Sequence, residues 1–333
     1  MKAIEIKSPG GLDKLVLVDR PEPRDPGPGE IKVRIRASSL NYHDYVVVIG
    51  MTSPADRRIP MSDGAGEVIA VGQGVTEFRE GDSVMSLFFP TWFSGPRLGH
   101  EFENVPGDST SGCACEFVTT PATWFTRVPR GFSHGEAATL PCAALTAWRA
   151  LVVNGGLAPG QKVLVMGTGG VSIFALQFAK AMNATVIATS SCEAKLARLQ
   201  QLGADHVINY RTTESWGREV FNQSGGVDHV VEIGGARTLD QSLAAVRIGG
   251  HIALIGLLGG LESTVNTTLM IGKEPRIQGL TVGNRAHQLD MVAGIEAIGL
   301  RPVVDRHFPL AALADAFRYQ ESGRHFGKIV VDI

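Results

Sequence analysis

Apolar positions change their period along the chain. Over the first third they come in short alternating or continuous runs, at 3–6, 15–18, 31–37, 66–71, 83–87 and 116–119. Pro, Gly and Asp bound each run, which predicts a mostly β region. The stretch PEPRDPGPG at 21–29 is a rigid loop between two of these strands. Ser133-His134-Gly135-Glu136 has the spacing of a capping box, so a helical run is predicted over 137–153. From Val163 the texture becomes strand–helix alternation: strands at 163–166, 185–189, 206–209, 228–233 and 251–255, helices at 171–182, 193–202, 214–222 and 238–246. That alternation predicts a doubly wound parallel sheet. A strand at 276–282, helices near 286–298 and 311–322 and a last strand at 328–332 follow. The order suggests one domain inserted in another, 144–282 within 1–143 plus 283–333.

The most informative stretch is VLVMGTGGVSIFALQFAKAMNATVIATSS, from Val163 to Ser191. A buried strand runs into Gly167-Thr168-Gly169-Gly170-Val171-Ser172, which opens a helix before a second β-branched strand. This is the layout of a dinucleotide site. Gly167 permits the turn, Gly169 lets backbone approach a pyrophosphate, and the helix N-terminus offers unpaired N–H groups. The third glycine of the fingerprint is replaced by Ser172, a small residue that keeps helix and strand close and whose hydroxyl is within range of the phosphates by position.

Composition narrows the classes. Over 333 residues, 44% are hydrophobic and 19% charged, and the net charge of −2 comes without any basic run, which argues against a nucleic-acid partner. No apolar segment reaches the ~18 residues a membrane helix needs. The start, MKAIEIKSPGG, lacks a signal-peptide core, and four Cys form no disulfide framework, so the cytoplasm is the expected location.

Seven motifs stand in one order: Leu40-Asn41-Tyr42-His43-Asp44; Asp63-Gly64-Ala65-Gly66-Glu67-Val68 with Val71-Gly72; Gly81-Asp82-Ser83-Val84; Cys142 with Leu145-Thr146-Ala147-Trp148; Gly167 through Ser172; Leu202-Gly203-Ala204-Asp205; and Gly327-Lys328-Ile329-Val330. With these the whole chain resembles the medium-chain dehydrogenase/reductase superfamily. The resemblance implies an α/β fold in which a Rossmann sheet is inserted in a mostly β, GroES-like catalytic domain. Zinc alcohol dehydrogenases of that superfamily carry Cys where Asn41 stands and Gly-His-Glu where Met61-Ser62-Asp63 stands. Cys142 alone resembles a remaining ligand, too few for a catalytic zinc, and the four-Cys structural zinc lobe is also missing. The chain therefore resembles the zinc-independent, quinone-oxidoreductase-like branch. Gly99-His100-Glu101 repeats the zinc tripeptide as text, but no Gly-x-Gly-x-Val strand follows it, and Cys113 and Cys115 are spaced too closely for an ordinary zinc site.

The resemblance also implies a cofactor. Ser190 occupies the position at the end of the second strand where NAD-specific sites carry an acid. Lys195 and Tyr210 resemble residues that grip a 2′-phosphate, with Arg211 beside them. Glu193 points mildly the other way. NADPH is expected over NADH, with its pyrophosphate over Gly169, Gly170 and Val171. Thr146, Ile255, Gly256, Val282 and Gly283 are expected beside the nicotinamide.

Without a Lewis acid, hydride transfer suits acceptors whose negative charge delocalises, such as an enone, a quinone or another activated carbonyl. Asn41 is the expected oxyanion donor through its amide NH₂. His43, where the family's proton relay begins, is a candidate acid; Tyr42 and Tyr45 flank it and are candidate proton donors too, with Tyr42 also expected at the substrate pocket. The alternative is that His43 points toward Asp44 or solvent. The long aromatic segment 88–111, with Trp92 and Phe93, either walls an apolar substrate pocket or anchors a loop on the core. Two other functions stay open, a zinc-independent alcohol dehydrogenase or carbonyl reductase and a non-catalytic NADPH-binding protein. A homodimer through the strand between Arg276 and Val282 is implied by the resemblance.

Overall fold

A computed structural model of the chain describes every residue but Ser53 and Ser263, and every side chain of the rest but those of His100 and Glu101. The expectation concerning His100 thus lies outside the described residues. The chain divides into two compact units, Met1–Leu145 with Val282–Ile333, and Thr146–Thr281.

The first unit opens with β1 (Lys2–Ile6), β2 (Leu15–Asp19) and β3 (Glu30–Ser39), followed by the short helix α1 (Tyr42–Val48). Strands β4 (Asp63–Val71), β5 (Ser83–Ser86), β6 (Phe117–Pro121) and β7 (Phe125–Arg127) and helix α2 (His134–Ala138) complete its first pass. Alternation explains β3: Ile31, Val33 and Ile35 turn to one core with Val68, Val84 and Phe125. Ser133 Oγ accepts from Glu136 N–H (3.2 Å) and the Glu136 carboxylate accepts from Ser133 N–H (2.8 Å), the capping box that starts α2. The run predicted over 137–153 is not one α-helix. Pro141 lacks an N–H, and the chain passes α2 into a π-helical turn, Leu140–Ala144, that carries Cys142.

Helix α3 (Leu145–Trp148) leads into the second unit, which continues with a second π-helical turn, Arg149–Val153. That unit contains β8 (Lys162–Met166), α4 (Gly170–Ala181), β9 (Thr185–Ser190), α5 (Glu193–Gln201), β10 (His206–Asn209), α6 (Trp216–Ser224) and β11 (Val227–Glu232). After these come α7 (Leu239–Ala245), β12 (Val246–Leu254), α8 (Thr267–Lys273) and β13 (Arg276–Gly279). The strands form one parallel sheet in the order β10-β9-β8-β11-β12-β13, a Rossmann sheet whose order reverses between β8 and β11. Buried Val163, Leu164 and Val165 show why its centre reads as a continuous apolar run. The strand expected over 276–282 stops at Gly279. Val282 lies beyond it at φ +45°, a left-handed conformation costly for a β-branched residue.

The chain returns to the first unit with α9 (Arg285–Ile298), β14 (Val304–Pro309), α10 (Leu313–Glu321) and β15 (Lys328–Asp332). The larger sheet there runs β14-β15-β3-β4-β5-β7, with β6 also paired to β3. Register sets Asp63 of β4 opposite Ser39 of β3, and Ser39 opposite Val330 of β15. Three adjacent strands thereby deliver Asp63, Ser39 and the start of β15 to one place, where α1 begins.

Candidate active site

Asp63 is fully buried, and so are Ser39 and Ser62. Its Oδ2 accepts from Asn41 Nδ2 (2.8 Å) and Ser39 Oγ (3.2 Å), while its Oδ1 has no partner. Lys328, 3% exposed, reaches in from β15: its ammonium donates to Asn41 Oδ1 (2.5 Å) and the Leu40 carbonyl (2.6 Å) and lies 3.9 Å from Asp63 Oδ2. Burial pushes the Asp63 carboxyl up to about 7 against the pull of Lys328. Burial likewise lowers Lys328 from its ordinary range, with Asp63 opposing. Asp44 caps the arrangement, its carboxylate accepting from the N–H groups of Asn41 (2.9 Å) and Ser62 (2.7 Å). Asn41 Nδ2 also lies 3.4 Å from Ser62 Oγ. The expected role of the Asn41 amide is therefore redirected: its NH₂ faces Asp63 and Ser62, and its oxygen faces Lys328.

His43 does not turn to Asp44 or to solvent. Its Nε2 pairs with Asp108 Oδ2 at 3.2 Å, its ring meets Phe88 edge-on at 5.0 Å, and its buried Nδ1 has no partner. Burial opposes a charged ring, but the bond to Asp108 and the charges of Asp44, Asp108 and Asp63 outweigh it, holding the imidazole above its ordinary range.

Tyr45 stands apart from this cluster. Its hydroxyl donates to Glu321 Oε1 (2.8 Å) and its ring packs near Phe317. That arrangement removes Tyr45 from the proton-donor candidates of the cluster. Tyr42 is exposed. Of the loop aromatics, Phe88, Phe89 and Trp92 are buried, and Trp92 Nε1 donates to the Gly95 carbonyl (2.9 Å). Trp92 is thus an anchor of the loop on the core instead of a pocket wall, whereas Phe93 is exposed.

In the second unit the predicted cofactor residues gather at the carboxyl ends of the parallel strands. Gly167 takes φ +72° after β8, and its N–H donates to the Thr189 carbonyl (2.8 Å). Gly169 immediately precedes α4, and a Cβ built there would meet nothing within 4 Å, so open space stands where Gly170 and Val171 begin the helix. This is the room a pyrophosphate requires. Ser172 does not reach toward it: the buried hydroxyl donates to the Met166 carbonyl at 2.7 Å, closing the turn. Ser190 is buried at the end of β9, and its Oγ accepts from Cys192 N–H (3.3 Å). Lys195 is half-buried on α5, and Tyr210 is exposed just after β10. The Glu193 carboxylate accepts from Asn209 Nδ2. Ile255 and Gly256 both donate N–H to the Glu232 carbonyl (2.8 and 3.1 Å) beside β11. Thr146 is buried at the start of this unit, while Val282 and Gly283 are buried in the other.

One participant, Asp108, stands in none of the motifs, and two others are motif residues whose roles the sequence did not show. Lys328 belongs to Gly327-Lys328-Ile329-Val330, but an apolar strand gives no sign of a buried ammonium. Asp108 is 65 residues from the histidine it holds. Asp63 was visible as a motif residue, but its burial and its unpaired oxygen were not.

Residues 27–130 match the alcohol dehydrogenase GroES-like domain and residues 170–297 the zinc-binding dehydrogenase family. The chain is 40% identical over 334 residues to a zinc-type alcohol dehydrogenase-like protein of Schizosaccharomyces pombe, covering 97% of this chain and 96% of the relative. The crystal structure of a putative alcohol dehydrogenase from Sinorhizobium meliloti is similar with a TM-score of 0.93 at 40% identity, over 100% of this chain and 99% of that one. A mycobacterial protein, Rv1454c, solved in complex with NADPH, is similar with a TM-score of 0.83 at 27% identity, over 100% of both chains. The chain belongs to the medium-chain dehydrogenase/reductase superfamily. It is an oxidoreductase of that superfamily, built from a GroES-like unit and a Rossmann unit.

The family's name raises zinc, and the donor set at the corresponding place does not fit it. Asn41 and Ser62 contribute an amide and a hydroxyl, the half-buried Cys142 thiol is pushed well above its usual range by desolvation and by Asp63, and an ammonium stands within the cluster. Catalytic zinc takes three Cys, His or carboxylate ligands; here the Cys142 thiol is held protonated, Asp63 Oδ2 is bonded to Asn41 and Ser39, and the Asp44 carboxylate is taken up by the N–H groups of Asn41 and Ser62. Cys113 and Cys115 are thiols in the core, both raised by burial, Cys115 to about 12. No group of three or more His, Cys, Asp and Glu with metal-holding geometry occurs among the described residues.

Proposed function

We propose that the chain is an NADPH-dependent reductase that delivers hydride to an enone, quinone or similarly activated carbonyl without zinc. The observation that carries this reading is the closed Asn41–Asp63–Lys328 network at the place where zinc enzymes of the superfamily assemble their metal. A site without a Lewis acid favours acceptors that delocalise the charge hydride transfer creates. Bound NADPH supplies the hydride. The residues suited to hold it are the backbone at Gly169, Gly170 and Val171, with Ser190, Lys195 and Tyr210 toward the 2′-phosphate. Ser190 presents no carboxylate to repel that phosphate, and Glu193 is engaged by Asn209. The NADPH complex of a structural neighbour agrees with the cofactor. His43 supplies the proton: its ring is held above the ordinary range, so a charged fraction persists near neutrality.

Steady-state assays with an enone, its saturated ketone and a quinone, each with NADPH and NADH, test the reading. Turnover of the enone or quinone with NADPH is expected, without stoichiometric zinc in the purified protein. Turnover of the saturated ketone alone would favour a zinc-independent carbonyl reductase instead, and loss of activity to a chelator would overturn the metal-free site. Lys195→Ala is expected to raise KM for NADPH about tenfold and leave NADH nearly unchanged. A homodimer through the β13 edge and a cytoplasmic location belong to the same proposal.

A further inference from the structure

Asp108 belongs to the long segment between β5 and β6, in none of the motifs that identify the superfamily. Its loop is nevertheless built with unusual definition. Val105 and Thr110 close a turn around it, with Asp108 N–H (3.2 Å) and Thr110 N–H (3.3 Å) both donating to the Val105 carbonyl. Ser109 Oγ ties the turn down by accepting from Val105 N–H (2.8 Å) and donating to the Phe102 carbonyl (2.7 Å). The turn is then clamped onto Met61. Gly107, at φ +83°, packs so closely that a Cβ would stand 2.6 Å from Met61 N, and Cys113 N–H donates to the Met61 carbonyl (2.8 Å). Met61 itself adopts φ +80° immediately before Ser62 and Asp63. Backbone held in that region by its surroundings marks a place where geometry matters more than local stability. The loop thus fixes Asp108 relative to the strand entry that carries Asp63.

What this precision delivers is one bond, from His43 Nε2 to Asp108 Oδ2 at 3.2 Å. Both side chains are about three-quarters covered, 25% and 23% exposed, unlike the mobile partners of an ordinary surface pair. Phe88 backs the ring edge-on, and Nδ1 is shielded and unpartnered. An ionised carboxylate only accepts, so the proton on Nε2 is fixed by Asp108, and Nδ1 is the nitrogen free to gain or lose one. We propose that Asp108 is a positioning residue for proton transfer, holding His43 by Nε2 so that Nδ1 is the nitrogen that donates. When Nδ1–H passes its proton to the substrate anion left by hydride transfer, the ring returns to the neutral Nε2–H form still bonded to Asp108. Between turnovers a proton from solvent, which reaches the quarter of the His43 side chain left exposed, restores the doubly protonated ring. This inference rests on the reading of His43 as the proton donor. The charged groups acting on the ring are Asp108 from the loop, Asp44 from α1 and Asp63 from β4.

The experiment follows His43 by carbon NMR in protein labelled at histidine, its signal assigned by its loss in His43→Gln, beside pH profiles of kcat/KM for an enone with NADPH. Asp108→Asn is expected to lower the His43 titration midpoint and move the alkaline limb of kcat/KM to lower pH. Activity above neutrality should fall about tenfold, with KM for NADPH unchanged and Asp108→Glu restoring part of both. An unchanged His43 midpoint in Asp108→Asn overturns the inference whatever the activity. A lowered midpoint together with full activity and an unmoved profile in His43→Gln overturns His43 as the proton donor, while leaving Asp108 as the residue that holds it.

Discussion

Lys328 brings an ammonium to a place where almost no water reaches, and the Asn41 amide it touches is committed to Asp63 as well. Asn41 can satisfy it only by presenting Oδ1, which turns Nδ2 toward Asp63, so one amide orientation serves two buried charges. Removing one member of a buried pair costs more than the pair itself contributes, because the partner is left without compensation. Lys328→Met should therefore destabilise the protein by about 3 kcal/mol in urea unfolding, and the loss should depend on pH. Asp63 has its folded pKa raised from 3.8 to about 7. Its protonated form is favoured by burial, so its contribution to stability is complete below the unfolded value and is lost as pH rises through about 7. Without the lysine that pKa rises further, and the ionised carboxyl becomes costlier. Unfolding curves should show a larger loss for Lys328→Met at about pH 8 than at about pH 5. Equal losses at both would assign the effect to packing instead of charge.

Between β11 and β12 the parallel register sets His229 beside His251, with ring centroids 5.8 Å apart. His229 Nε2 meets Gln161 Oε1 at 2.9 Å, while neither nitrogen of His251 has a partner. Burial pushes both down to about 4, with Arg276 adding to the effect on each, Arg247 adding to it on His229 and Asp228 opposing it there. A histidine whose folded pKa is depressed favours the neutral form, so stability is intact above about 6.5 and declines as pH falls toward 4. At about pH 5 the cost is on the order of 2 kcal/mol per ring, and the urea midpoint should fall accordingly. His251→Leu should remove its share of that decline; an unaltered pH dependence would place the acid sensitivity elsewhere. These elements also show where sequence pattern suffices. The buried strands of the Rossmann sheet and the turn after β8 were readable because continuous apolar runs and Gly167 have few other uses. Strand β14 was not, since Val304–Pro309 is half-exposed and carries no alternation, and Pro141 split a helix whose periodicity looked unbroken. At the site, family register found Asn41 and His43 but not their orientations, which depend on Lys328 and Asp108, both distant from them in sequence.

At the scale of the molecule, the Rossmann unit leaves something open. β13 ends the six-stranded order with β12 as its one neighbour among the described residues, an edge with backbone groups free to pair. The chain leading into it carries exposed apolar side chains: Leu257 at 51%, Leu258 at 57%, Leu261 at 73% and Ile271 at 77%. Single exposed apolar residues are ordinary, but four large ones within the fifteen positions before an open edge strand need covering. A net charge of −2 offers little repulsion against a second copy. A two-fold pair placing β13 against its symmetry mate would continue the sheet and cover the same apolar side chains, since an isologous contact uses one patch twice. Sedimentation velocity at micromolar concentration should therefore give about twice the chain mass of 35.5 kDa. Leu261→Asp with Ile271→Asp adds two charges to that face of each copy without touching the buried core. The double variant should sediment at the monomer mass with unchanged circular dichroism. A wild-type monomer under these conditions would remove the β13 edge as an interface, and a dimeric double variant would move the interface to another face.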